Sequence, residues 1–333
     1  MQWKLARRSR FAERYHEWAM RRGFPLLLKI APVLPMWFLR FGARVVIGSV
    51  MGVYPAPKRD IDKNLRRILG LEVSRREIRR ARRRMIHNLA YYWVDLFRFC
   101  QLPYERTREM LAALRGREHL ERALAQGKAQ NTQNKGVILL TAHVGNWELG
   151  GVFLREKDLE VSVVYVPDQS PTAESFRSTL RRAIGVEGIA INPAADLSSL
   201  PVLRALKEGR VVAMQGDRDF NDRGEWVEFF GAPARFPLGP MLLARMTGAT
   251  LLPIFIVYDE RHRLEIEFSA PIAVSPVGDR RQAALVALEH WVRVLEGAVR
   301  RWPTQWYTFF DFWAEAPPPE AGSEESAAQR EAV

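Results

Sequence analysis

The clearest regularity in the chain is one apolar stripe following residue 74. Ile78, Ala81, Met85, Leu89, Tyr92/Trp93 and Leu96 recur at three- and four-residue steps, the spacing of a helix with one buried face. Ser74-Arg-Arg-Glu77 immediately before it is a capping box, in which the serine and glutamate side chains satisfy amides of the opening turn. Residues 60–70 read as a polar connector with a short helix around Asn64-Leu65. From residue 104 the pattern predicts a polar helix over 105–126 and then a polar loop, 130–135. Short apolar runs follow at 136–142, 161–166, 211–214, 251–258 and 264–268, lengths that suit buried strands. Between and after them, 146–155, 173–184, 198–208, 241–247 and 280–301 read as helices. Apolar strands alternating with helices predict an α/β layered fold with a central sheet flanked by helices.

Charge divides the chain more sharply than hydropathy does. The first hundred residues hold 23 Lys and Arg against 7 Asp and Glu, whereas 314–333 carry five Glu and one Arg. A basic front end on a neutral body needs an anionic partner: nucleic acid, a phospholipid surface or an acidic protein. Its cations are interleaved with Trp3, Phe11, Tyr15, Trp18, Phe24 to Leu28 and Met36 to Leu39, an amphipathic mixture suited to a bilayer interface. Nucleic-acid arms are poorer in Leu and Trp, and no zinc-finger or RNA-binding motif appears, so no nucleic-acid partner is expected. Seven arginines between Arg75 and Arg84 fit either a solvated helix face or phosphate recognition.

The longest uncharged run has 13 residues, from Val45 to Pro57, short of the roughly 20 apolar residues of a spanning helix. No signal peptide is evident in 1–22. Residues 1–58 are therefore expected to form membrane-associating basic helices on a cytoplasmic leaflet, with a tilted span through 24–53 as the alternative. Residues 59–313 form the α/β domain in this reading, and 314–333 an acidic, disordered tail. The one cysteine, Cys100, excludes a disulfide scaffold and a cysteine-built zinc site.

Candidate chemistry concentrates in Leu140-Thr-Ala-His143-Val-Gly-Asn-Trp-Glu148-Leu-Gly-Gly. His143 follows a buried strand and Glu148 lies five residues on. Within one regular helix that spacing puts the two on different faces. With His143 in the strand-to-helix turn and Glu148 in the first helical turn, the carboxylate can fold back to the imidazole. Gly145 permits the tight backbone this needs. Such a pair is an oriented general base, and the backbone amides of Gly145 and Asn146 are candidates to face an oxyanion. The alternative is a satisfied histidine at a strand end. The His/Glu spacing lacks the two-His pattern of zinc enzymes, so no metal is expected.

The strand, turn, Gly-Asn and helix of His-Val-Gly-Asn-Trp-Glu resemble the His-x4-Asp/Glu motif of the lysophospholipid acyltransferase superfamily. The variant is similar in particular to the lipid A biosynthesis (lauroyl and myristoyl) acyltransferases, a branch that includes phosphatidylinositol mannoside acyltransferases. The resemblance extends over about 1–313. It takes in Val164-Tyr165-Val-Pro167 with Phe176 and Leu180-Arg181-Arg182, Val211 to Asp219, Phe229-Phe-Gly231 with Gly239-Pro240 and 243–249, and the aromatic ending Pro303 to Trp313. The chain departs from the family at its front, where Arg40 and Arg44 interrupt the expected anchor.

The resemblance implies a glycerolipid-acyltransferase-like fold on the cytoplasmic face of the inner membrane. It implies transfer of a fatty acyl group from an acyl-carrier-protein or coenzyme A thioester, as co-substrate and without cofactor, to a hydroxyl of a lipid A precursor. A phosphatidylinositol mannoside or another lysolipid is the alternative acceptor. His143 would be the base and Glu148 its carboxylate. One of Arg177, Arg181 and Arg182 would contact substrate, while Asp217 and Arg218, following a buried strand, would line the cleft. Trp306, Tyr307 and Phe309 read as core rather than acyl-chain lining. A non-catalytic, membrane-bound basic scaffold is the reading from another class.

Overall fold

A computed structural model describes residues 22–314 apart from 24–25, 27–28, 54, 100–101, 103–104, 106–107, 130–135, 155–160, 169, 193–194, 196–197 and 221. The expectations for residues 1–21, for the 130–135 loop and for the tail beyond 314 lie outside the described residues.

The first helices with described bounds are α1 (Met36–Val53), α2 (Pro55–Leu69) and α3 (Arg75–Phe99). The capping box at α3 forms: Ser74 N–H donates to Glu77 Oε2 at 3.0 Å and Glu77 N–H to Ser74 Oγ at 3.3 Å. α2 corrects the reading of a polar connector. Ile61 and Leu65 are fully buried one turn apart, and Asn64 is buried between them, its amide donating to Phe310 O at 2.8 Å. The polar residues that suggested a connector are the outer face of a full helix.

The strands are β1 (Leu111–Arg115), β2 (Val137–Thr141), β3 (Val161–Tyr165), β4 (Glu187–Ala190), β5 (Val211–Gln215), β6 (Glu225–Phe229), β7 (Ala232–Phe236), β8 (Thr250–Tyr258) and β9 (Leu264–Phe268). Seven of them form one mixed sheet in the order β1-β9-β8-β2-β5-β3-β4, parallel except for the β8/β9 pair. β6 and β7 form a separate antiparallel hairpin. The remaining helices are α4 (Arg117–Ala129), α5 (Gly150–Leu154), α6 (Pro171–Ala183), α7 (Leu200–Lys207), α8 (Gly239–Thr247) and α9 (Arg280–Arg301).

All five strands expected from apolar runs form, and their uniform hydrophobicity has a plain cause. Helices cover both faces of the sheet, so alternation is lost. Leu139, Ile254 and Ile256 point to the layer holding α3, α4 and α6, while Ile138, Leu140, Phe255 and Val257 point to the layer of α7, α8 and α9. In the second layer Trp291 of α9 is fully buried and lies parallel to Phe255 at 6.0 Å.

The polar helix expected over 105–126 is instead strand β1 followed by helix α4. Gly116 makes the break: at φ +67° it adopts a conformation that side chains disfavour, and a Cβ there would sit 2.0 Å from Phe268 O. β1 then adds to the sheet edge by pairing in parallel with β9. The short strands β4, β6 and β7 were not legible as apolar runs, because their residues are alternately exposed.

Among the described residues no helix is long and apolar enough to cross a membrane. α1 packs against α3 on one side and leaves Trp37, Phe38, Phe41 and Val45 exposed on the other.

Candidate active site

The site forms where β2 and β5 end. The two strands run in parallel with Thr141 opposite Gln215. Two residues beyond each, at the carboxyl edge of the sheet, stand His143 and Asp217. Strand register alone therefore brings together residues 74 positions apart in the chain, at the edge where open α/β sheets bind ligands. His143 Nδ1 lies 2.8 Å from Asp217 Oδ1. Asp217 is fully buried, and its second oxygen accepts from the His143 amide at 3.1 Å and from Trp306 Nε1–H at 3.2 Å. Three N–H groups on one carboxylate leave it as an acceptor only, so the ring proton sits on Nδ1. Nε2 then carries the lone pair.

Electrostatics support this assignment. Burial pushes His143 down to about 4, with the Arg218 charge acting in the same direction and Asp217 opposing it. For Asp217 burial acts upward, but the His143 and Arg218 charges and the hydrogen bonds from His143 outweigh it, and the carboxyl is held well below its ordinary range. At neutral pH the pair is an uncharged imidazole on an ionised aspartate.

Two sequence expectations are corrected here. The carboxylate on the imidazole is Asp217, not Glu148. Glu148 lies in the 3-10 turn Trp147–Leu149, half-buried, beside Arg177, Arg181 and the Trp147 side chain. Burial raises its pKa and those two arginines oppose the rise. It lies on the same cavity, within reach of the charges of Arg177 and Arg181, while the ring's carboxylate is Asp217. The second correction concerns the amides of Gly145 and Asn146, which are not available to an oxyanion. Gly145 N–H donates to Gln305 O at 2.8 Å, and Asn146 N–H to Ile256 O at 2.7 Å. These bonds instead fix the catalytic turn to β8 and to the C-terminal segment.

That aromatic segment is a clamp. Tyr307 N–H donates to His143 O at 2.8 Å, and Val144 and Trp306 form an antiparallel bridge. Trp306 is core, as expected, yet it also donates to Asp217, a role its sequence context did not suggest. Tyr307 is buried in the core and Phe309 packs against it, as expected, and both also line the cavity beside His143. Gly145 lets the turn pass between its two anchors: its φ is +68°, and a Cβ would lie 1.9 Å from Ile256 O. Gly145→Ala is expected to cost about 3 kcal/mol or more of stability, combining a left-handed strain with a backbone clash. A denaturant midpoint close to that of the wild type would contradict this packing.

His143 opens on a cavity of about 680 Å³ at the carboxyl edge of the sheet, lined by α3 and α6 from one layer and by α7 and α8 from the other. Its walls are largely apolar, with Leu89, Trp93, Leu96, Val163, Phe176 and Ile254 among them. Arg177, Arg181, Arg218, Arg223 and Arg281 also line it. Arg181 is buried, bonds Glu174 at 2.5 Å and stacks on the Tyr165 ring at 3.6 Å. Arg218 donates to Tyr307 O at 2.6 Å. Arg182, one residue on, points outward, is exposed and does not reach the cavity. This corrects its expected substrate contact, since neighbouring residues of a helix are set about 100° apart. Of the three arginines left open by the sequence, Arg177 and Arg181 face the site.

The site thus joins a neutral, oriented imidazole to a largely apolar cavity with arginines in its lining. The chain belongs to the bacterial lipid A biosynthesis acyltransferase family, whose model matches residues 7–314. Among curated proteins it is similar to the phosphatidylinositol mannoside acyltransferase of Mycobacterium tuberculosis, 29% identical over 171 residues, or 51% of this chain and 52% of that protein. The same-named protein of Mycolicibacterium smegmatis is 27% identical over 172 residues, 52% of this chain and 54% of its own length. The similarity thus spans about half the length of the relatives it matches.

Proposed function

We propose that this protein is an O-acyltransferase that moves a fatty acyl group from an acyl-carrier-protein or coenzyme A thioester to a hydroxyl of a phosphate-bearing glycolipid. The observation that carries the proposal is the His143–Asp217 pair opening on an apolar cavity that also presents arginines. His143 Nε2 takes the acceptor hydroxyl's proton as its oxygen attacks the thioester carbonyl. The imidazolium that forms is stabilised by Asp217. The tetrahedral intermediate then collapses, the C–S bond breaks, and the departing thiolate takes the proton back from Nε2. A thioester is already activated, so direct attack needs no serine or cysteine nucleophile and no cofactor. Arg218 places positive charge beside the reacting centre in this scheme, in place of the amides that the turn has already used.

Within the family, the named relatives favour a phosphatidylinositol mannoside as acceptor, with a lipid A precursor as the alternative. Both offer sugar hydroxyls near phosphate, which suits Arg177 and Arg181. Glu148, on the same cavity, then balances the charge of these two cations, whose direct carboxylate contacts are Asp168 and Glu174. Arg177→Gln and Arg181→Gln are each expected to raise KM for the acceptor about tenfold, the loss of a charge-assisted contact, whereas Arg182→Gln changes it less than about twofold. Equal effects at Arg181 and Arg182 would reject the assignment.

The exposed apolar side of α1, beside the arginines of α3, suits a cytoplasmic-leaflet surface of anionic phospholipid, with apolar insertion and basic attraction acting together. Incubating the purified protein with a labelled acyl thioester and, in parallel, each glycolipid tests the reading. Acyl transfer to one of them, absent in His143→Ala, is expected. Retention of full turnover in that variant would reject His143 as the base, whereas no transfer by the wild type to either glycolipid would favour a scaffold.

The base's environment also fixes the pH dependence. His143 is held below its ordinary value of 6.5, so the free enzyme keeps its active, neutral form on descending through pH 6.5. The acid limb of kcat/KM is expected below 6.5, and a limb at or above that value would contradict the buried, neutral ring.

A further inference from the structure

One buried carboxylate plays no part in the mechanism above. Asp95 of α3 is fully inaccessible and, among the described residues, neither of its oxygens has a hydrogen bond of regular geometry. Its facing cation, Arg40 of α1, approaches with Nη2 at 3.7 Å, and the guanidinium lies 4.5 Å from the centre of the Tyr91 ring. Across the interior, the Tyr258 hydroxyl faces the same carboxylate. That hydroxyl accepts from Asn146 Nδ2–H at 2.8 Å, and Asn146 is wholly buried in the turn between His143 and Glu148.

Counting donors and acceptors fixes the direction of this chain. A tyrosine hydroxyl has one proton to give. Asn146 can only donate through Nδ2, so Tyr258 accepts there and keeps its own proton for the facing Asp95. Asp95 accepts it most strongly as a carboxylate, the form that Arg40 favours from α1. Each step depends on the one before: burial raises Asp95 and Arg40 opposes that rise in favour of the ionised form, Asp95 aligns Tyr258, and Tyr258 holds Asn146. Tyr258 is itself held at both ends of its peptide unit by Gln305, its N–H donating to Oε1 and its carbonyl accepting from Nε2, each at 2.8 Å. It is therefore a fixed post rather than a mobile ring. A buried carboxylate with so few partners contributes little to stability when judged against an apolar replacement, which points to a role in placing other groups.

We infer that Asp95 and Tyr258 are positioning residues for the catalytic turn, and that Arg40 ties that turn to helix α1, the helix with the exposed apolar face. α1 on this view completes the site as well as flanking it. The inference uses the acyl-transfer reading for its kinetic readout, and hydrogen exchange of the turn tests it independently of any substrate.

The test compares wild type, Tyr258→Phe, Arg40→Gln, the double variant and Arg40→Lys, in kcat, in KM and in amide exchange of the peptide spanning 143–149. Each single neutralising change is expected to lower kcat by between about 10- and 100-fold, with KM little changed, because a small misplacement of a base carries a penalty of that size. Exchange in the peptide rises in both. The double variant is no slower than Tyr258→Phe alone, since the link is already cut, and Arg40→Lys recovers most of the rate. Asp95→Asn, of equal size, replaces Tyr258→Phe in the cycle if that variant does not fold. Additive losses in the double variant, or wild-type exchange of the turn in both singles, would overturn the inference. If no acceptor is turned over by wild type, the functional reading fails while the exchange data still decide this one.

Discussion

Replacing His143 by Ala is expected to lower kcat/KM for acyl transfer by about 10³-fold or more, the upper part of the range for losing a positioned general base. Stability should change little by comparison. The ring is partly exposed at the cavity and packs edge-on to Trp147 at 5.0 Å, and Asp217 keeps its two other N–H donors when the imidazole is removed. A loss near 1 kcal/mol corresponds to a few degrees in Tm for a chain of this size. Activity lost with the fold retained is the expected outcome, read by thermal melting beside the kinetics. Binding of the thioester, measured in the absence of acceptor, is expected to persist, because the apolar walls are untouched.

Asp217→Asn is expected to be almost as damaging, lowering kcat by about 10³-fold through orientation and charge rather than through loss of the base itself. The carboxylate accepts three N–H groups. An amide offers one acceptor atom and two unwanted donors. If its nitrogen turns toward the ring, Nδ1 becomes the acceptor and the proton moves to Nε2, where the lone pair is needed. The imidazolium formed during attack also loses its counter-charge. Glu148→Gln should behave differently. Its carboxylate is grouped with Arg177 and Arg181, so the expected change falls on acceptor KM, and the acid limb of the pH profile keeps its wild-type position. A displaced acid limb in Glu148→Gln would return that residue to the base.

The sequence carried the sheet's interior well, because strands covered on both faces are written as unbroken apolar runs. It carried His143 too, through the strand, the glycine turn and the family's motif. It was misleading where tertiary context decides. Leu111-Ala-Ala-Leu-Arg115 is composed of helix-favouring residues, and it becomes a strand only because Gly116 breaks the chain and β9 offers an edge. The His143–Asp217 pairing was hidden for another reason: a proximity between residues that far apart depends on which strands are neighbours, and that order is a property of the whole sheet. One trace of it was present. His143 and Asp217 each stand two residues beyond a buried apolar strand, Thr141-Ala-His143 and Gln215-Gly-Asp217, and adjacent parallel strands in register turn equal offsets into contact. The His-x4-Glu spacing points to Glu148, five residues on, whereas the carboxylate on the ring comes from the end of the neighbouring strand.

The loss of the Gly145 and Asn146 amides as oxyanion donors has a similar origin. A glycine-rich turn after a strand often leaves amides free, but here Gln305 and Ile256 supply carbonyls to both. Those partners come from the C-terminal segment and from β8, and no local pattern around residue 145 announces them.

Whether His143 and Asp217 act as one unit is read by a double-mutant cycle on kcat/KM. His143→Ala and His143→Ala/Asp217→Asn are expected to be equally inactive, because the aspartate has nothing left to orient once the imidazole is gone. Independent, multiplying losses in the double variant, or near-wild-type turnover in Asp217→Asn alone, would contradict the account.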